Sequence, residues 1–148
     1  MPTGYRDWRD YADPFPKAYR TVEQAVAYLR NARHVTRVYL LGHSMGARMA
    51  SAYVSQNPTG GISGFIVAGC RNNGGQPLSC KQNLDRVTLP VLDIWGGKNR
   101  KDARAAAERR GMVSDTYTQI EIPAANHKFQ GREDELVDAV ADWLKSRN

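Results

Sequence analysis

The sequence predicts an α/β fold: a three-layer sandwich around a short, mostly parallel sheet of about four strands. Three observations carry this expectation. Hydrophobic spacing alternates along the chain between helical periodicity and short apolar runs of strand length. The strand candidate Ile62 to Ala68 is mostly apolar, as in sheets buried on both faces. Helical segments of crossover length separate the strand candidates, which implies right-handed connections and parallel pairing.

A chain of 148 residues suffices for one domain with a real core. That domain is expected to span residues 1–148, with a polar leader over 1–15. Apolar residues make up 41% and charged residues 24%, which excludes a disordered or fibrous chain. No apolar run reaches bilayer length, so no membrane span is expected. Met1 to Asp13 mixes acidic and basic residues and does not read as a secretory signal. The net charge of +6 raises nucleic acid or an anionic surface as a partner. The positive residues are scattered, however. Their densest stretch is Arg100, Lys101, Arg104, Arg109 and Arg110, interrupted by Asp102 and Glu108 and without interleaved aromatics. It reads as a solvated helix face, and no nucleic-acid partner is expected.

The elements follow in order. After Pro14 and Pro16, Val22, Val26 and Leu29 recur at helical spacing to about Ala32, with Thr21 and Gln24 as a capping pair. Arg37 to Leu41 is a short apolar strand. Gly42 to Gly46 is a turn, and Ala47 to Gln56 a second helix, stopped by Asn57-Pro58. Ile62 to Ala68 is a second strand. A Gly-rich loop follows, carrying Cys70 and Cys80. This pair could close a disulfide, implying an oxidising compartment, or remain two thiols. Val91 to Trp95 is a third strand, ended by Gly96-Gly97. An Ala-rich helix over Lys101 to Arg110 leads to a fourth strand, Tyr117 to Ile122. Pro123 to Gly131 is a loop. Leu136, Val137, Val140, Trp143 and Leu144 form the apolar stripe of a closing helix.

The chemistry concentrates in Gly42-His43-Ser44-Met45-Gly46, a Gly-x-Ser-x-Gly turn between a strand and a helix. Such a turn strains its central residue, and its glycines let the two backbones approach closely. The Ser44 hydroxyl then stands above the carboxyl ends of the strands, where open α/β sheets bind ligands. The Met45 N–H, at the start of a helix, is placed to stabilise an oxyanion. A serine needs a base, and imidazole suits neutral pH. His127 lies in a loop after the fourth strand, at the same sheet end as Ser44. His34, at the end of a helix, and His43, directed away from the serine, are poorer candidates; His43 reads as packing.

At these residues the chain resembles the α/β-hydrolase family of serine esterases and lipases. Arg37 to Tyr53 is similar to its nucleophile strand and helix. Leu89 to Gly96 is similar to the strand that precedes its acid, and Ile122 to Phe129, with Asn126-His127-Lys128-Phe129, to its histidine loop. The likeness covers roughly residues 16 to 146 and implies a reduced α/β-hydrolase core with the order Ser, acid, His. It also implies an acid after the third strand, where this sequence has Asn99. Asparagine orients a histidine but brings no charge to the imidazolium. Asp102, three residues on, could reach instead, or could merely sit in the first turn of a helix capped by Asn99. Asp93, inside the strand, is a further candidate.

Only 43 residues precede Ser44. The family places several strands there, together with the loop for a second oxyanion donor. The nucleophile strand is therefore expected at a sheet edge. A second copy of the chain could cover Val38 to Leu41 in a homo-oligomer, or the leader, with Tyr5, Trp8 and Tyr11, could fold over them. The function the resemblance implies is hydrolysis of a small carboxylic ester. Ser44 attacks, His127 is general base, Asp102 or Asn99 orients it, and Met45 N–H holds the oxyanion. No metal or cofactor is implied. The alternative is a non-catalytic binding or assembly module derived from a truncated hydrolase.

Overall fold

Residues 7–147 are described by the computed structural model. Four strands, β1 (Tyr39–His43), β2 (Gly64–Ala68), β3 (Val91–Gly96) and β4 (Tyr117–Ile122), form one sheet in sequential order. Every pairing is parallel, with Tyr39 opposite Gly64, Ile66 opposite Leu92 and Gly96 opposite Ile122. Five α-helices flank it: α1 (Phe15–Ala27), α2 (Met45–Gln56), α3 (Cys80–Leu84), α4 (Arg100–Glu108) and α5 (Glu133–Ser146).

Alternation along the strands divides the core in two. Phe65, Val67, Val91 and Tyr117 point to one face, where they pack with Val26 of α1, Ala47, Tyr53 and Val54 of α2, and Leu84 of α3. Ile66, Ala68, Leu92, Ile94 and Ile122 point to the other, which α5 covers with Trp143, Leu136 and Val140. Each fully buried Val, Leu, Ile or Phe contributes roughly 1.5–3 kcal/mol, so these two layers dominate the stability. The expected three layers are present.

Boundaries differ from expectation in instructive ways. Helix α1 begins at Phe15, with Pro16 in its first turn, where proline gives up no needed N–H. Thr21 is therefore no cap; its hydroxyl donates back to Lys17 O, as hydroxyls inside helices do. The helix continues through a π-turn over Tyr28–Ala32. Strand β1 starts later than expected and includes Gly42 and His43, because its pairing follows β2 to Ala68. Helix α3 lies in what reads as loop. Its five residues are too few for a periodic signal, and Ser79 caps it by accepting from Gln82 N. Cys70 and Cys80 are joined in a disulfide that brackets this loop, with Cα atoms 6.0 Å apart.

Strand β1 is an edge strand. Among the described residues no strand pairs with its outer side, and Leu41 there is 52% exposed. Two described leader residues pack away from it. Trp8 and Ala12 pack instead with Phe15, with Ala52 of α2 and with Leu78; Tyr5 lies outside the described residues.

Candidate active site

The sheet register brings the ends of all four strands to one level, so the segments that follow them meet above it. Ser44 follows β1, Gly69 to Asn73 follow β2, Asn99 to Asp102 follow β3 and His127 follows β4.

Ser44 has φ 58° and ψ −119°, a conformation that costs an L-residue of order 1–3 kcal/mol and needs support from its surroundings. Part of that support is a bond from Ser44 N to Ala68 O at 2.9 Å. Gly42 is required here, since a Cβ on it would lie 2.3 Å from Gly46 O. Gly46 is not required in that sense: a Cβ there meets nothing within 4 Å. Although Ser44 occupies the N-cap position of α2, its side chain caps nothing. The hydroxyl lies instead 2.9 Å from His127 Nε2. Met45 is the first residue of α2, where backbone N–H groups have no partner within the helix.

His127 sits on a tightly held loop. Asn126 Oδ1 accepts from Lys128 N and Gln130 N, and the Phe129 side chain is buried in the core. His43 does more than pack. Its Nε2 bonds His127 O at 2.8 Å, and its ring lies 5.1 Å from the His127 ring. Below the imidazole, Gly69 adopts φ 64°, and a Cβ on it would come within 3.0 Å of His127 Nδ1.

On its far side His127 Nδ1 bonds Asp102 Oδ2 at 2.5 Å. Asp102 is fully buried. Its other oxygen accepts from Arg71 Nε at 2.8 Å. Asn99 caps α4 by accepting from Asp102 N at 2.9 Å, which sets the first turn and aims the carboxylate inward. Asn99 Oδ1 also takes a longer bond from Arg71, at 3.4 Å. Asp93 is elsewhere, within β3 opposite Val67 and Gln119. Arg109 Nε and Nη2, Tyr117 Oη and Gln119 Nε2 all donate to it. Burial alone would lower Arg109, but the charge and bonds of Asp93 outweigh it and raise its pKa. Burial and the Asp93 charge push Tyr117 up.

Of the residues singled out in the sequence, Ser44, His127 and Asp102 are thus joined in one hydrogen-bonded chain, with Met45 beside Ser44 and Asn99 supporting Asp102. His34 and Asp93 make no bond to this chain. Sequence reasoning missed Arg71, Gly69 and Arg48. Arg71 adjoins Cys70, and Arg48 follows Ser44 by one helical turn, which was the one available signal.

A cavity of about 550 Å³ opens beside Ser44, walled by Trp8, Arg48, Arg71, Lys101 and Arg104. Arg48 is buried and donates to the carbonyls of Asn73 and Leu78, with its Cζ 4.6 Å from the Trp8 ring centre. Burial and the nearby Arg71 pull its pKa down to about 10, against the attraction of Asp102, so it remains charged at neutral pH. The basic run of α4 is therefore not a uniform solvated face. Lys101 and Arg104 line this cavity, and Arg109 is 1% exposed in its pair with Asp93. Packing buries Asp102, Ala105, Ala106 and Arg109, while Arg100, Lys101, Arg104 and Arg110 stay exposed.

Among the described residues, no group of three or more His, Cys, Asp or Glu could hold a metal ion, and no helix is long and apolar enough to cross a membrane.

Solved structures share this fold at low identity. Est1E from Butyrivibrio proteoclasticus is 15% identical, with a TM-score of 0.71 over 90% of this chain and 70% of that one. NosK from Streptomyces actuosus is 18% identical, with a TM-score of 0.67 over 94% of this chain and 78% of that one. A dienelactone hydrolase from Anabaena variabilis is 19% identical, with a TM-score of 0.71 over 89% of this chain and 60% of that one. At such identity the likeness is one of fold, and the fold is that of the α/β-hydrolases. No curated protein sequence matches. Over residues 16–146 the chain matches the family described as "protein of unknown function (DUF3530)", and it belongs to that family.

Proposed function

We propose that the protein is a serine hydrolase that cleaves carboxylic esters through an acyl-enzyme on Ser44. The observation that carries this reading is the continuous hydrogen-bonded chain from Ser44 Oγ through His127 to a buried Asp102. Ser44 Oγ attacks the ester carbonyl while His127 Nε2 takes its proton. The tetrahedral oxyanion forms at the Met45 N–H. His127 returns the proton to the leaving alcohol, leaving the acyl group on Ser44. Water, deprotonated by His127, then attacks the acyl carbon, and the acid departs with Ser44 restored. Asp102 holds the imidazole by Nδ1–H and balances the imidazolium charge. The dienelactone hydrolase among the similar structures is named for hydrolysing a lactone, which is a cyclic ester.

The test is intact mass after treatment with a fluorophosphonate, which needs only an activated serine. A single adduct on wild type and none on Ser44→Ala is expected. Folded wild type without adduct overturns the reading and leaves a non-catalytic module.

A further inference from the structure

Four cationic side chains open onto the cavity that holds Ser44, while one carboxylate, Glu108, shares its wall. Glu108 is engaged by Asn72 Nδ2 at 3.1 Å. Among the described residues Arg48 bonds only to neutral acceptors, two carbonyls and Asn73 Oδ1. Arg71 shares the single charge of Asp102 with His127. Lys101 and Arg104, three residues apart on the cavity side of α4, are exposed and make no hydrogen bond or ion pair among the described residues. Among the described residues the four cations outnumber Glu108 and Asp102, so the cavity carries an excess of positive charge. Like charges gathered around a nucleophile destabilise the free protein and favour an anionic visitor. Guanidinium and ammonium donors of this kind suit oxyacid groups.

We propose that the substrate is an ester that also carries an anionic oxyacid group, a carboxylate or a phosphate. Lys101 and Arg104 receive that group, with Arg71 and Arg48 adding to the positive potential, and the ester carbonyl lies at Ser44 Oγ. The cavity, at about 550 Å³, has room for a small molecule of this kind. The Trp8 ring offers a flat apolar wall on one side. The inference rests on Ser44 as the nucleophile and adds the charge of the substrate to that reading.

The experiment compares para-nitrophenyl hemisuccinate with its neutral methyl ester at low salt. The anionic ester is expected to have a kcat/KM at least about tenfold higher, chiefly through KM, as one charge-assisted contact provides. The double variant Lys101→Ala, Arg104→Ala should bring the ratio towards one. A wild-type ratio near one, or a ratio unchanged in the double variant, overturns the proposal. A second measurement is independent of chemistry: calorimetric binding of malonate and of inorganic phosphate to Ser44→Ala. Binding that is lost when Lys101 and Arg104 are also replaced supports the anion site, and the tighter ligand tells carboxylate from phosphate. Binding of neither ion overturns it. Failure of fluorophosphonate labelling with ion binding intact overturns Ser44 as nucleophile, and with it the ester, and leaves the anion site standing.

Discussion

Asp93 and Asp102 lie nine residues apart, and both are fully buried against an arginine, yet the fold uses them differently. Asp93 is saturated: both oxygens are taken by Arg109, and Oδ2 also accepts from Tyr117 and Gln119. Its pair with Arg109 is almost wholly dry, at 0% and 1% exposure. Arg109 carries the network further, to Cys70 O and Asn72 Oδ1, so it also fastens the loop that follows β2. Asp102 gives only Oδ1 to an arginine and leaves Oδ2 to His127. Arg71, its partner, is 29% exposed and faces the cavity. The difference teaches that burial and an arginine partner do not tell the two acids apart. What does is the carboxylate oxygen that Asp102 leaves for a histidine, which is the contact the proposed mechanism uses.

This contrast can be broken by substitution. The largest effect is expected from Asp102→Asn. An amide can present the wrong hydrogen-bonding partner to Nδ1 and brings no charge to the imidazolium, so kcat for an activated ester should fall about 10⁴-fold. Urea unfolding should show that the variant remains folded. A fall of less than about tenfold would remove Asp102 from the proposed mechanism. Next comes Asp93→Asn, which leaves Arg109 buried without a counter-charge. Unfolding free energy should drop by about 3–5 kcal/mol. A loss below about 1 kcal/mol, the range of exposed pairs, would make the buried pair incidental. The smallest effect belongs to Asn99→Ala. Removing the cap of α4 should cost about 1 kcal/mol of stability, with kcat changed far less than in Asp102→Asn. If Asn99→Ala instead abolished turnover and Asp102→Asn did not, the two residues would exchange roles.

Much of this was legible in the sequence. Gly42 to Gly46, between an apolar strand and an apolar-faced helix, marks Ser44 because a tight strand-to-helix turn is a local event. His127 follows from chain order and from its loop at the same sheet end. The central strands β2 and β3 were visible because both of their faces are buried, which leaves short apolar runs in the chain. The partner of His127 Nδ1 was not legible. Asn99 and Asp102 both lie near the end of β3, and spacing alone does not say which side chain turns toward the histidine. Packing resolves it: Asn99 spends its oxygen on the helix cap, and that cap presents Asp102 inward. The basic run was legible in part, since Arg100, Lys101, Arg104 and Arg110 are exposed as expected. Arg109 and Arg110 are neighbours in sequence, yet one is buried against Asp93 and the other is exposed. Leader residues proved equally opaque, since Trp8 joins the cavity wall rather than the β1 edge.

What the sequence by itself determined is therefore the order of the strands and of the helices other than α3, the two-faced core and the turn that carries Ser44. Each depends on periodicity or turn chemistry within a few residues, where local sterics and hydrophobic patterning act directly. What only the tertiary structure decided is which charges meet. His127 lies 83 residues from Ser44 and 25 from Asp102, and Arg71 lies 31 from Asp102. Such partners are set by how the parallel crossovers bring the strand ends to one level and by which carboxylate oxygens remain unspent. No short-range pattern encodes either, because an ion pair or a triad depends on separation in space and on competing hydrogen bonds.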